Sequence, residues 1–584
     1  MFIIFNPIET NRIKDMDLQI TERHFLPEQL SIQSFSDIEP FFKELTNRDI
    51  TSLENLKKWL SDRSELDAVL EENMAWRYIR FSINTTDEEL AKSYQLFVTE
   101  IQPHIAPYED LLNKKLLASP ARKELLGEEY KIYLRSIETS VKLFREENIE
   151  LQSKISEKSQ EFGSISGAQS IEFEGQQITM QKAATFLKDP DREKREKVFR
   201  LMADRRLQDT QKLDQLFSDL LKMRHQTALN ADFENFRDYM FEAMGRFDYT
   251  KEDCFNFHST IASEIVPLVK AFQQEQCEKM GLEKMRPWDT DVDPEGRKPL
   301  KPFESGEEML HGTINMFASI DPFFGECLHK MDKMGHLDLE SKPGKSPGGY
   351  NYPLYETGVP FIFMNAVGTH RDLVTMVHEG GHAVHSFLSR DLPLTGFKSL
   401  PSEVAELASM SMELISMDQW HRFYASEEEL KRAKKEQLQT VLQILPWIAT
   451  IDEFQHRLYE NPEHTEEQRT EIWLTLLDKY GTGMVDWSGF KATREKSWQR
   501  QLHLFEVPFY YIEYGIAQLG ALGVWMNYKK EPIKAVEQYK SALALGYTRS
   551  IPAIYTTAGI RFDFSKENLR ELVTFVKKEL EKLQ

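Results

Sequence analysis

Apolar residues recur every three or four positions over most of this chain, a spacing that predicts amphipathic helices. From Asp37 to about Gln160 such patterns follow one another with short breaks. Tyr133, Ile137, Val141 and Phe144 fall on one helical face. Asn84–Thr85 marks a break, and Thr86 to Glu89 reads as the capping box of the next helix. Near residue 170 the period changes to two. Ile171–Phe173 and Gln176–Met180, joined by Glu174–Gly175, predict a small hairpin. Asp189–Pro190 opens a further helix with proline at its first position, and helical spacing then holds to about Leu282. Arg286 to Pro302, rich in proline, and Lys342 to Tyr350, rich in glycine, predict loops. The run Phe361–Met364 predicts a strand that Gly368 ends. Thr369 with Asp372 three residues on then starts a helix with apolar faces at Val374, Val377, Val384, Phe387 and Leu388. A reversal between Asp391 and Pro401 leads to a helix from about Ser402, and helices continue to the last, Lys566–Gln584. The fold class is therefore mainly α, with a small β element beside the helix from Thr369. An N-terminal helical region over 1–190 and a second region over 191–584 are the expected domains.

Composition narrows the function classes. The chain has 584 residues and a net charge of −21, which repels nucleic acid and anionic lipid. Cys254, Cys277 and Cys327 are too scattered for a disulfide framework and suit a reducing compartment. The apolar start Met1–Phe5 stops at Asn6–Pro7 without a basic flank, so no transport signal is expected there. Val507 to Met526 is the most apolar later run. Its Pro508, Glu513, Gln518 and three glycines mark it as a buried core helix rather than a membrane span. A cytoplasmic protein with no membrane partner is expected.

Within the helix from Thr369 lies His378–Glu379–Gly380–Gly381–His382, an H-E-x-x-H pattern. Two histidines four apart on a helix present their rings to one metal ion, and the intervening glutamate then stands beside a metal-bound water as a base. A hydrolytic zinc site wants three protein ligands and one open position. His385 is seven residues beyond His378, about 10 Å along a helix, too far to join the same ion. The third ligand is thus expected from the helix after the reversal. There Glu403, Glu406 and Glu413 share nearly one face, among Ala405, Ala408, Met412 and Leu414. A carboxylate stripe on an apolar helix is costly to bury without a cation. The glycines before Tyr350 suit close approach of a peptide backbone at Gly349. They lack the G-x-x-x-x-G-K-[ST] pattern of a nucleotide loop.

The combination Pro360–Asn365, His378–His385 and Glu406–Leu407–Ala408–Ser409–Met410 resembles the thimet and oligoendopeptidase family of zinc peptidases, peptidase family M3, and within it the oligoendopeptidase F branch. The resemblance extends from about Tyr130 to near the C-terminus and is weakest before Ile171. It implies one zinc per chain on His378, His382 and Glu406, with Glu413 orienting a zinc-binding histidine. It also implies two mainly helical halves enclosing a deep channel that admits short unfolded peptides. His503, Tyr510 and Tyr514 match the branch's stretch for substrate and for the tetrahedral intermediate. Independently, Pro508 reads as a helix start that puts Tyr510 and Tyr514 on one face and turns Tyr511 away. Glu379 would be the general base. The strand through Phe363, read as an edge strand, would pair with the substrate backbone, with Gly349 and Tyr350 nearby. The expected function is zinc-dependent endopeptidase action on short oligopeptides. The rivals are a zinc carboxypeptidase or dipeptidyl carboxypeptidase, a non-catalytic peptide-binding protein, and a helical scaffold. Oligomeric state is left open.

Overall fold

A computed structural model describes residues Glu22–Leu583. The apolar start at Met1–Phe5 lies outside the described residues, as does Gln584 at the C-terminus. Helices dominate, and the described strands are few and short. The mainly α expectation holds. Contacts divide the chain into two compact units made of interleaved segments. One comprises Met1–Glu138, Lys301–Lys434 and Gly520–Phe562; the other comprises Thr139–Leu300, Lys435–Leu519 and Asp563–Gln584.

In the first unit, α1 (Leu53–Ile83) starts at Ser52, whose hydroxyl accepts from the Asn55 N–H. Its Trp59 is fully buried and donates through Nε1 to the Leu45 carbonyl at 2.9 Å. Burial on this scale contributes about 2–3 kcal/mol per large side chain, and the N-terminal helices share one core with Leu394 and Phe397. Further along α1, Ala75 and Ile79 pack with Leu354, Phe361 and Phe363, joining that core to a small sheet. The following helix begins one residue later than the Thr86 reading. Asp87 is its cap, accepting from the Glu89 and Leu90 N–H groups.

The second unit carries the hairpin β1 (Ser170–Phe173) and β2 (Gln176–Thr179), paired antiparallel as expected. Its turn needs left-handed backbone at both Glu174 (φ 53°) and Gly175 (φ 76°), which suits a two-residue hairpin loop. The helix expected from Pro190 instead runs Arg192–Leu207, capped by Asp191. The Arg195 guanidinium and the Asp289 carboxylate form a buried pair at 2.9 Å.

The sheet of the first unit has the order β3 (Leu337–Glu340), β5 (Phe361–Ala366), β4 (Tyr350–Tyr352). β3 runs parallel to β5 and β4 antiparallel to it. β5 is therefore the central strand, which overturns its reading as an edge. Strand order in space is set by the loop that returns between β3 and β5, and a single strand's alternation does not encode it. Lys345, on that loop, has no exposed side-chain surface. Its ammonium pairs with Asp338 at 2.5 Å and donates to the Glu340 and Met364 carbonyls, fastening the loop to the sheet. No helix among the described residues is long and apolar enough to cross a membrane.

Candidate metal centre and active site

α2 (His370–Ser389) begins as its sequence predicts. Thr369 Oγ1 accepts from the Asp372 N–H at 3.2 Å, and the Asp372 carboxylate accepts from the Thr369 N–H at 2.9 Å. One face, with Leu373, Met376, Val377, Val384 and Phe387, is buried. The two positions between the motif's outer residues are set by packing. A Cβ on Gly380 would lie 2.8 Å from the Phe317 ring, and one on Gly381 would lie 2.6 Å from Ser409 Cα. Ser409 belongs to α3 (Ser402–Ser416), so α2 and α3 meet backbone to backbone at Gly381.

That contact brings the carboxylate stripe to the histidines. His378 Nε2 lies 3.3 Å from Glu406 Oε2, and His382 Nε2 lies 3.8 Å from the same oxygen. Ligand atoms of His378, His382 and Glu406 all fall within 4.8 Å of one another. Ser409 Oγ donates to Glu406 Oε2 at 3.2 Å and steadies it. On the far side of the His378 ring, Nδ1 lies 2.7 Å from Glu413 Oε1, which fixes the tautomer and turns Nε2 towards Glu406. Two imidazoles and a carboxylate, with a second carboxylate orienting one ring, fit a zinc ion. Glu403 is buried on α3, and its backbone carbonyl accepts from the Tyr555 hydroxyl at 3.1 Å.

Burial opposes charge on His378, but hydrogen bonds to Glu406 and Glu413 outweigh it and hold its pKa well above the ordinary value. Burial pushes His382 down to about 4. Glu379 is 6% exposed, and burial pushes its carboxyl up to about 7, opposed by His378 and helped by Glu406. A carboxylate poised near neutrality suits proton transfer in both directions. Asn351 of β4 donates to the Glu379 backbone carbonyl at 3.4 Å, which sets β4 against this part of α2. His385 is wholly buried, and burial first, then the nearby His382, lowers it to about 3. It does not join the ligand atoms that converge on Glu406, as its distance along the helix predicts.

Three expected substrate contacts read differently. Phe363 has no exposed surface, stacks on the Tyr350 ring at 4.8 Å, and lies under the Lys345 ammonium at 4.4 Å. It is core, because β5 is central. The backbone that approaches Gly349 is the protein's own: a Cβ there would lie 3.3 Å from the Phe363 carbonyl oxygen. The Tyr350 hydroxyl is engaged with Ser82 at 2.5 Å. The side of β4 away from β5 pairs with no strand among the described residues.

His503, Tyr510 and Tyr514 lie in the second unit and cluster together. His503 is 6.2 Å from the Tyr510 ring and 5.8 Å from that of Tyr514, and the two tyrosine rings are 5.2 Å apart. Tyr511 does not turn away: its ring is 4.7 Å from His503 and 5.5 Å from Tyr514. The reason is that the helix starts at Tyr511 rather than Pro508, so Tyr510 is not on it. Before that start Phe509 adopts φ 68°, a left-handed conformation costing roughly 1–3 kcal/mol for a bulky residue. Gln455 Oε1 accepts from the Phe509 N–H at 2.7 Å, and the Arg246 guanidinium donates to the Phe509 carbonyl. Arg246 is held in turn by buried Glu513 at 3.0 Å. Sequence reasoning missed Arg246 and Gln455. Its one available signal was Glu513, a carboxylate inside an apolar run.

Comparison with known proteins finds matches along most of the chain. The profile of peptidase family M3 matches residues 185–574, and that of the peptidase M3 N-terminal domain matches residues 25–144. Oligopeptidase PepF of Bacillus subtilis is 26% identical over 229 residues, 38% of this chain and 33% of that protein. An oligoendopeptidase F homolog of Borreliella burgdorferi is 26% identical over 216 residues, 36% of each chain. These matches span about a third of the relatives' lengths. Among solved structures, PZ peptidase A with an inhibitor superposes at a TM-score of 0.89 with 25% identity, covering 95% of this chain and 98% of that one. An oligoendopeptidase F superposes at 0.89 with 26% identity and the same coverage.

Proposed function

Because the chain belongs to peptidase family M3, we propose that it is a zinc-dependent endopeptidase that hydrolyses bonds inside short, unfolded oligopeptides. The observation that carries this reading is the approach of His378 Nε2 and His382 Nε2 to one oxygen of Glu406, at 3.3 and 3.8 Å. One zinc held there by His378, His382 and Glu406 would supply Lewis acidity to a water molecule and to the scissile carbonyl. Glu379, buried next to His378, would accept the proton of that water and hand it to the leaving nitrogen. Glu413 keeps His378 oriented.

An extended peptide would add to the unpaired side of β4, next to Asn351 and so to Glu379. Strand addition reads backbone more than side chains, which favours broad sequence tolerance. His503, Tyr510 and Tyr514 take the role that the family resemblance implies, hydrogen-bonding substrate and the tetrahedral oxygen. Excess negative charge and three cysteines outside any disulfide fit a cytoplasmic protein that acts without nucleic acid or membrane.

The test is mass analysis of fragments from a mixed peptide pool, with and without chelator. Internal cuts that vanish with chelator and return with zinc are expected. Including peptides with blocked C-termini separates the exopeptidase alternative, since a carboxypeptidase or dipeptidyl carboxypeptidase needs the free carboxylate. Fragments that arise only from free C-termini would replace this reading with the exopeptidase one.

A further inference from the structure

Two helices of the second unit each carry a pair of metal-binding side chains one turn apart. Helix Lys251–Thr260 holds Cys254 and His258, and α4 (Glu427–Glu460) holds Asp452 and His456. Residues four apart share a helical face, so two such pairs on packed helices can converge on one point. They do. Cys254 Sγ, a carboxylate oxygen of Asp452 and a ring nitrogen of His456 lie within 4.8 Å of one another. All four residues are at most 2% exposed.

The existing hydrogen bonds leave this cluster incomplete. His258 Nε2 lies 2.8 Å from Asp452 Oδ2, and His456 Nε2 lies 3.3 Å from that same oxygen. Asp452 Oδ1 and both ring nitrogens of His456 are buried with no hydrogen-bond partner, the 3.3 Å approach of Nε2 included. The surroundings are apolar: the rings of Phe255, Phe509 and Phe241 lie 5.0, 5.5 and 6.0 Å from that of His456. Unsatisfied carboxylate and imidazole atoms in such a setting are costly, and a divalent cation between these side chains would take one donor atom from each of Cys254, Asp452 and His456. A thiolate, an imidazole and a carboxylate together select a borderline-to-soft ion of the zinc class over magnesium or calcium. Phe255, whose ring lies 5.0 Å from that of His456, is 39% exposed, so the cluster lies close beneath the surface.

We propose that Cys254, Asp452 and His456 form a second transition-metal site, of the zinc class, with His258 as the positioning residue that orients Asp452. Loading it releases the Cys254 thiol proton to solvent. The site would lock helix Lys251–Thr260 to α4. It would also brace Gln455, the neighbour of His456 that holds the Phe509 N–H, so its occupancy would stiffen the base of the His503–Tyr514 turn.

The experiment uses the full chain with His378→Ala and His382→Ala, which disables the first site. Cobalt(II) is the probe, because its bonds to sulfur give an intense near-ultraviolet charge-transfer band and the first site has no sulfur donor. The expected result is one cobalt per chain by elemental analysis, with that band present and a raised Tm on loading. Cys254→Ser should abolish the band, and His456→Gln and Asp452→Asn should each weaken cobalt binding at least tenfold. His456→Gln keeps the test decisive if Cys254→Ser fails to fold. A folded double variant that takes up no cobalt, or a band that survives Cys254→Ser, overturns the assignment and leaves a hydrogen-bonded core cluster.

Discussion

His378 and His382 stand on an unbroken, capped helix whose distance to Glu406 is set by backbone contact at Gly381. His503, Tyr510 and Tyr514 stand instead on a five-residue helix, a turn with Phe509 at φ 68°, and the start of α5 (Tyr511–Lys530). In the first region helical periodicity does the positioning, and tertiary packing only closes the gap. In the second, Gln455, Arg246 and Glu513 hold a backbone that would otherwise relax. The difference teaches where each region is vulnerable. The histidine site should fail by loss of a ligand or of a spacing, and the tyrosine turn by loss of a distant support.

The largest effect belongs to the ligands. Glu406→Gln or His378→Ala should abolish stoichiometric zinc and chelator-sensitive cleavage, read by elemental analysis beside turnover; full zinc in either variant would remove that residue from the site. Glu413→Ala should weaken zinc less than Glu406→Gln does, and the reverse order would exchange their roles. Next comes Glu379→Gln, which keeps shape but takes no proton at neutral pH. Zinc should stay and kcat should fall roughly a hundredfold or more, as for loss of a general base. Near-normal turnover in the zinc-loaded variant excludes Glu379 as the base.

In the other region, Tyr514→Phe should lower kcat by up to about a hundredfold with little change in KM, if its hydroxyl acts on the tetrahedral oxygen. Tyr511 shares the cluster, so Tyr511→Phe is a second probe rather than a neutral control. Equal, mild losses from both would make these rings packing residues. Gly381→Ala comes next. A methyl 2.6 Å from Ser409 Cα must push α2 and α3 apart, at about 1–3 kcal/mol of stability, and should weaken zinc affinity as well. A Gly381→Ala protein with unchanged zinc affinity would show that the interhelical contact does not set the site. The smallest effect is Gln455→Leu, which strands the buried Phe509 N–H at about 1–3 kcal/mol. It should lower the urea midpoint and, with Tyr514→Phe, give less than additive losses in kcat. Additive losses would mean that the turn holds its shape without Gln455.

The asymmetry between the regions also explains what was legible in the residues alone. The cap at Thr369, the helix through His378 and His382, and the exclusion of His385 followed from local geometry. So did the candidate stripe on α3, although the choice of Glu406 within it came from family resemblance. The central place of β5 was not legible, because strand order depends on a long-range return of the chain, and with it went the roles of Phe363 and Gly349. Thr86 gave way to Asp87 because two capping residues stood side by side. The true start of α5 was hidden by a positive φ at a phenylalanine, which no propensity favours. The two compact units interleave along the chain, an arrangement that no local pattern encodes. Cys254-x-x-x-His258 and Asp452-x-x-x-His456 were readable as spacings, but only their meeting in space gives them meaning.

One hydrogen atom at residue 381 has a consequence for anyone who builds libraries on this scaffold. In the general motif the two middle letters are wild cards, and randomising them looks harmless. Here one letter answers to an aromatic ring and the other to a neighbouring backbone. Selection for activity should therefore return glycine at both, and the diversity that survives will lie elsewhere on the helix.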